Sequence, residues 1–337
     1  MATVTMTVES PPVAVGSNQG KIASQHLGWL RPTARDTPLE EMRERLRQDG
    51  YLFVKNLIPR KDVLRVRKDY FQRYAPTGIL EPGSDPEAGV FNGGEAASAH
   101  GGIGAGELPP TDLQVQTMTD AHKTPEYLAF LEHADLRGFV RALMGWDREV
   151  LLRRTMLRHN VPGGLSTAVH YDKLFLRGGE AYFLTAWVPI GDISQTGGGL
   201  MYLSDSTSLG RSIEDDFTQR AAQLTPEERV SAFNVNMEKY GQLSQNAAEF
   251  GDAHRIHRVH RRHEDDDGSG SGDLRRWLVA DYEAGDVVFH DPYMIHTSTR
   301  NEDAARRIRL STDLRFYREG SDLDARWMKF WTPGDGL

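Results

Sequence analysis

His170 and Asp172 stand two residues apart, just after a Gly-rich turn where an extended segment can begin. In an extended chain residues i and i+2 share a face, so an imidazole and a carboxylate lie side by side while Tyr171 faces away. A His-x-Asp pair is common by chance and identifies nothing alone. Its weight comes from His296, which follows a turn and an apolar strand, Gly285-Asp286-Val287-Val288-Phe289-His290. After it come Ser298, Asn301 and a strand opening Arg307-Ile308-Arg309-Leu310-Ser311. Two imidazoles and one carboxylate on one face, with the other positions open, form the ligand set of non-haem Fe(II) oxygenases. The open positions suit a bidentate 2-oxo acid and dioxygen. An Arg in the pocket would then fork onto the distal carboxylate of that acid.

Holding such a set requires a β scaffold, and the pattern supplies one. From residue 148 the apolar period becomes two, and Val150–Leu157, Phe183–Val188, Leu200–Leu203, Trp277–Asp281, Val287–Phe289 and Arg307–Phe316 read as strands. Turn signals separate them at Pro162-Gly163-Gly164, Gly178-Gly179, Gly197-Gly198-Gly199 and Gly285-Asp286. Short strands so punctuated point to a sandwich or jelly roll. Ahead of them, a helix opens at Thr37-Pro38 and stops at Gly50, Tyr51-Leu52-Phe53-Val54 is a strand, and a second helix runs from Pro59 to about Tyr74. Residues 82–112 read as a long loop near the surface or over a site. Residues 1–36 show no helical period and are expected to be a flexible N-terminal arm, either a mobile tail or an arm lying on the domain, with 37–337 a single domain carrying an insertion at about 211–276. The helical part of the insertion, with Ile213, Phe217, Val230 and Phe233, is expected to form a lid over the substrate. The Gly/Ser segment at 268–272 is its tether.

Composition narrows the chemistry. The 337-residue chain has no cysteine, which excludes disulfides, thiolate metal sites and Cys nucleophiles, so any metal must take His and carboxylate ligands. A formal charge of −8 argues against a general nucleic-acid partner. No apolar run is long enough for a membrane helix, and residues 1–20 carry no basic side chain, so a soluble cytoplasmic protein is expected. His254, His257, His260 and His263 recur every third residue, a spacing that drifts about 60° per step on a helix and does not converge on a metal. They read as a solvated segment whose arginines are balanced by Glu264, Asp265, Asp266 and Asp267. Trp327 and Trp331 are expected to pack on the core or at a subunit interface.

Taken in order, several motifs resemble those of the phytanoyl-CoA dioxygenase family of Fe(II)/2-oxoglutarate-dependent oxygenases. They are Gln48-Asp49-Gly50-Tyr51-Leu52-Phe53-Val54, His170-x-Asp172, Ala186-Trp187-Val188-Pro189, Gly198-Gly199-Leu200, Gly285-Asp286, His296-x-Ser298-x-x-Asn301 and Arg307-x-x-x-Ser311. The resemblance spans roughly residues 40–320. It implies a mainly β, α+β fold, a double-stranded β-helix (jelly roll, cupin-like) flanked by helices. It implies Fe(II), 2-oxoglutarate and O2, with His170, Asp172 and His296 as catalytic metal ligands; the Gly285-Asp286 register selects His296 over His290. The arginine for the 2-oxoglutarate C5 carboxylate usually sits about eleven residues past the distal His, which counts to Arg307, with Ser311 four further on. Arg309 shares the strand face and is the alternative anchor. Ser298 would assist, Trp187 would line the pocket, and Thr155 and Arg158 could contribute.

Three departures stand out: Ser204-Asp205-Ser206-Thr207 in place of a Pro-Gly-Ser-His turn, the long insertion, and the second arginine. Retention of Asp172 favours hydroxylase-like over halogenating chemistry. The implied function is oxidation of an unactivated C–H bond of a small organic metabolite, by hydroxylation, desaturation or oxidative cyclisation, in secondary metabolism. A homodimer is compatible with it, and no nucleic acid or membrane is involved. The rival readings are a non-catalytic β-barrel ligand-binding relative and a cupin-like metalloenzyme that does not use 2-oxoglutarate.

Overall fold

The computed structural model describes residues 12–104, 108–180, 182–223, 243–255 and 274–334. Thirteen strands and seven α-helices are assigned among them. The strands are β1 (Val15–Gly16), β2 (Lys21–Ile22), β3 (Leu27–Trp29), β4 (Pro32–Thr33), β5 (Tyr51–Val54), β6 (Glu149–Leu151), β7 (Met156–Asn160), β8 (Leu184–Pro189), β9 (Leu200–Leu203), β10 (Trp277–Val279), β11 (Val287–His290), β12 (His296–Ser298) and β13 (Arg309–Arg318). The helices are α1 (Leu39–Asp49), α2 (Arg60–Tyr74), α3 (Asp112–Ala121), α4 (Pro125–Leu131), α5 (Ala134–Met144), α6 (Thr207–Ala221) and α7 (Ala247–Ala253).

A large sheet runs β4-β5-β11-β8-β13-β6, with β7 also paired to β13, and a small sheet runs β12-β9-β10-β3. Side chains alternate in direction along each strand. In the large sheet one face, with Leu52, Val54, Leu184, Ala186, Val188, Val287, Phe289, Leu310, Leu314 and Phe316, packs under α1–α5. The other face meets the small sheet through Tyr51, Phe53, Trp187, Val288, Leu200 and Tyr202. The outer side of the small sheet, Met201, Leu203, Trp277 and Val279, carries a second apolar layer with Tyr171, Tyr293 and Phe250 of α7.

Local signals explain the helix ends. Gly50 closes α1 in the left-handed conformation, at φ 75°. Thr111 and Gln114 form a reciprocal capping box on α3, and Thr124 with Pro125 opens α4. Trp327 and Trp331 both pack inward; Trp331 stacks on His122.

The flexible-arm expectation is corrected for residues 12–36. Leu27–Trp29 pairs in parallel with Trp277–Val279, and Pro32–Thr33 pairs in parallel with Phe53–Val54, so the segment adds an edge strand to each sheet. Strands of two or three residues leave no periodic trace, and their partners are distant in sequence. Residues 1–11 lie outside the described residues. The first helix of the insertion is Thr207–Ala221, opening before residue 211, and the second, placed at Thr225, lies outside the described residues.

Candidate metal centre and cosubstrate pocket

His296 opens β12. It pairs with Tyr202, an inward residue of β9, so its imidazole faces inward. His170 is extended beside it: each backbone N–H donates to the other residue's carbonyl, at 3.0 and 2.9 Å. Asp172 begins a single 3-10 turn, Asp172–Leu174, that brings its carboxylate round to both imidazoles. The Nε2 atoms of His170 and His296 each lie 3.8 Å from Asp172 Oδ1. One ligand atom from each of the three residues falls within 4.8 Å of the others, and all three residues are buried.

The protonation states suit a cation. His170 Nδ1 lies 2.8 Å from the Ala168 carbonyl and His296 Nδ1 lies 2.9 Å from the Met294 carbonyl. Each ring therefore donates from Nδ1 and turns a bare Nε2 to the centre. Burial lowers both histidine pKa values, and the neighbouring His170 and His290 rings lower that of His296 further. Burial alone would raise the Asp172 pKa, but Arg315, then His290 and His296, hold it well below the usual carboxylate range. Neutral imidazoles and an ionised carboxylate are the forms that bind metal.

Three side chains orient Asp172. The Thr185 hydroxyl donates to Oδ2 at 2.6 Å, Arg315 donates to Oδ1 at 3.1 Å, and His290 Nε2 lies 3.4 Å from Oδ2. His290 thus stands behind the ligand set. Arg315 and Thr185 were missed in the sequence. The signal was present: both lie on strand positions of the same parity as Trp187 and Arg309.

The remaining site residues fall into two groups. Ser298 follows His296 two residues along β12, on the same inward face, and its buried Oγ has no partner among the described residues. Trp187 is fully buried between the sheets, with its Nε1 also unpartnered among the described residues. Arg309 enters the same interior, where its Nε donates to the Gly198 carbonyl at 3.0 Å and Nη1 to Ser311 Oγ at 2.8 Å. Gly198 adjoins Thr299, so Arg309 lies beyond Ser298, on the side away from His296.

Arg307 and Thr155 do not join them. Arg307 precedes the strand and forks onto Asp303, with its side chain 42% exposed. The eleven-residue count leads to Arg307, whereas of the two arginines Arg309 is the one in the interior. The turn that carries Arg306 at φ 56° comes first, and the strand begins only at Arg309. Thr155 accepts the Tyr127 hydroxyl at 2.8 Å, and the same hydroxyl reaches Thr312 on the helix-covered face of β13, away from the metal residues. Arg158 faces inward and pairs with Asp313 at 2.8 Å.

The interior charges do not balance. Arg309 and Arg158 stand against Asp313 alone, and among the described residues no carboxylate pairs with Arg309. Burial, then the neighbouring Arg158, brings the Arg309 pKa down to about 9. Burial by itself does not mark a binding arginine. Arg67 is equally enclosed, but it donates to four carbonyls, those of Glu87, Ala88, Ile190 and Ile308. Arg309 has no such set, and an unpaired buried cation is costly unless an anion completes it. The unpartnered Ser298 Oγ and Trp187 Nε1 point to the same kind of guest. A dicarboxylate reaching from the triad to Arg309 fits these groups.

Two imidazoles and a carboxylate, buried together with an arginine in the same interior, make up the ligand set of a mononuclear non-haem metal site. The family model described as phytanoyl-CoA dioxygenase matches residues 46–308, and the chain belongs to that family. It is an Fe(II)/2-oxoglutarate-dependent oxygenase, with His170, Asp172 and His296 available to hold the iron. No curated protein matches it. Solved structures similar to it include the 2-oxoglutarate-dependent carbocyclase SnoK from nogalamycin biosynthesis, at 15% identity and TM-score 0.49, covering 87% of this chain and 90% of that one. EctD from S. alaskensis with bound Fe is similar at 16% identity and TM-score 0.47, covering 89% and 82%. EvdO2 from Micromonospora carbonacea var. aurantiaca, complexed with 2-oxoglutarate, is similar at 14% identity and TM-score 0.43, covering 88% and 98%. No helix among the described residues is long and apolar enough to cross a membrane.

Proposed function

We propose that the two facing sheets form a double-stranded β-helix and that the enzyme oxidises an unactivated C–H bond of a small organic metabolite of secondary metabolism. His170, Asp172 and His296 hold Fe(II). Arg309, oriented by Ser311 and Gly198, takes the C5 carboxylate of 2-oxoglutarate. Ser298 and Trp187 donate to the cosubstrate along its length. Iron with 2-oxoglutarate supplies the oxidising power, and the cosubstrate leaves as succinate and CO2.

The chain's own residues bind, orient and exclude water. Thr185 and Arg315 fix the Asp172 carboxylate, and the two backbone carbonyls fix the imidazole tautomers. Phe175 sets its edge against His170 at 5.5 Å between ring centres, giving the ligand set an apolar neighbour. Burial of all three ligands keeps bulk water from the oxidising centre. The observation that carries this reading is the buried triad with Arg309 unpaired in the same interior.

Anaerobic titration with Fe(II) and then 2-oxoglutarate tests it. A weak visible charge-transfer band that needs both components is the expected result. Its absence, with iron bound, would favour a metalloenzyme that does not use 2-oxoglutarate.

A further inference from the structure

Helix α6 touches both segments that carry metal ligands, and it does so from behind, without reaching the metal residues themselves. Glu214, buried on its inner face, accepts the Tyr171 hydroxyl at 2.7 Å. Tyr171 is the residue between His170 and Asp172. The same carboxylate takes a fork from Arg177, at 2.8 and 3.0 Å, and the Arg177 guanidinium lies 3.5 Å from the centre of the Phe217 ring, one turn further along the helix. These contacts tie α6 to the chain on both sides of Asp172.

The other ligand segment is held one turn earlier. Arg211 donates to Asp291 at 3.1 Å and lies 4.3 Å over the Tyr293 ring. Residues 291–295 lead directly into His296, and the Ile295 N–H donates to Ser206 Oγ, just before the helix, at 3.0 Å. Gly210 makes the approach possible: a Cβ there would sit 2.0 Å from the Tyr293 carbonyl oxygen. Tyr293 and Tyr171 stack at 6.3 Å, joining the two segments under the helix. Positions 207, 210, 211, 214 and 217 form one helical stripe, and that stripe is the contact surface.

We propose that α6 is a brace that keeps the His170-Tyr171-Asp172 segment and the His296 segment in mutual register, with Glu214 and Arg211 as positioning residues for iron binding. This rests on the metal-centre reading above.

Anaerobic calorimetry of the metal-free full-length chain with Fe(II) tests the brace, with the visible spectrum of the Co(II)-loaded protein as a second readout. Tyr171→Phe removes one hydroxyl, and Glu214→Gln removes the charge. Each should weaken Fe(II) binding about three- to tenfold, below the roughly 10–100-fold seen for groups that touch ligands directly, and should alter the Co(II) spectrum. The double variant should bind within about a factor of two of Glu214→Gln alone, because the Tyr171–Glu214 bond is already disturbed in that variant. Tyr127→Phe, which loses a buried hydroxyl on the helix-covered face, should leave both readouts unchanged. Wild-type affinity and spectrum in Tyr171→Phe would overturn the brace, even if Glu214→Gln fails to fold. Equal weakening by Tyr127→Phe would overturn it too, since general loosening would explain the loss. A wild-type chain that takes no Fe(II) overturns the metal centre and the brace together, whereas failure of the brace alone leaves wild-type binding intact.

Discussion

The two faces of β13 obey opposite rules. Toward the helices it presents Leu310, Thr312, Leu314 and Phe316, of which the three hydrophobic residues belong to the main apolar core. Toward the small sheet it presents Arg309, Ser311, Asp313, Arg315 and Tyr317, as deeply buried and almost entirely polar. One face is filled by other parts of the chain. On the other, Arg315 is spent on Asp172, Arg158 on Asp313, and among the described residues Arg309 has no acid of its own. The lesson is that burial alone does not separate core from site; the separation comes from whether each buried group finds its partner within the protein.

The widest break between the faces should come at the metal. His170→Ala and His296→Ala should abolish Fe(II) binding and succinate formation while the fold persists, measured as iron content and circular dichroism. Full activity in either variant would remove the triad assignment. By contrast, Leu314→Ala on the other face should cost about 2–5 kcal/mol of stability and leave iron affinity alone.

Arg309 and Arg307 sharpen the comparison further. Removing one partner of a desolvated charge pair costs about 2–5 kcal/mol, so Arg309→Ala should raise the apparent constant for 2-oxoglutarate at least roughly tenfold. Arg307→Ala, which breaks only a surface pair with Asp303, should change it little. The reverse order would place the anchor outside the interior.

The helix-covered face should instead show in acid. His122 Nε2 accepts the Leu157 N–H at 3.2 Å, and His159 Nδ1 lies 2.7 Å from the Tyr70 hydroxyl. Burial brings both pKa values down to about 4. The unfolded chain, with histidine near pH 6.5, takes up protons that the native state refuses, so stability falls as pH drops. Their contribution is complete above about pH 6.5 and is lost as pH falls through about 4. From pH 7 to 5.5 the loss should be about 1 kcal/mol per histidine, read from urea midpoints of the metal-free protein. A flat profile over that range would contradict it.

Much of this was legible in the sequence, because the informative patterns were local. Period-two alternation located most strands of the two sheets within a few residues, and the i, i+2 rule set His170 beside Asp172 with Tyr171 turned away. What depends on register was not legible. Arg307 and Arg309 differ by where β13 starts, and a count from His296 cannot see that Arg306 still belongs to the turn. Thr185, Arg315 and Glu214 act through contacts 13 to 143 residues away in sequence. Strand parity puts Thr185 and Arg315 on the inward face, but no spacing rule shows that they meet Asp172. The strands of residues 12–36 were hidden for the same reason, since two-residue pairings carry no period.

The smallest effects give the finest contrast, because they compare one hydroxyl on each face. Ser298 Oγ is buried and unpartnered among the described residues, whereas Thr155 Oγ1 accepts a 2.8 Å bond from Tyr127. Deleting an unsatisfied polar group is close to neutral or stabilising, while deleting one member of a buried bond costs about 1 kcal/mol. Ser298→Ala should therefore leave the urea midpoint of the metal-free protein unchanged or slightly raised, yet weaken 2-oxoglutarate by about 1 kcal/mol, the usual value of one hydrogen bond. Thr155→Val should do the opposite: lower stability by about that amount and leave 2-oxoglutarate binding untouched. The two variants are thus separated by which measurement moves. If Ser298→Ala lowers stability as Thr155→Val does, its hydroxyl is serving the fold, and the cosubstrate must be held by Arg309 and Trp187 without it.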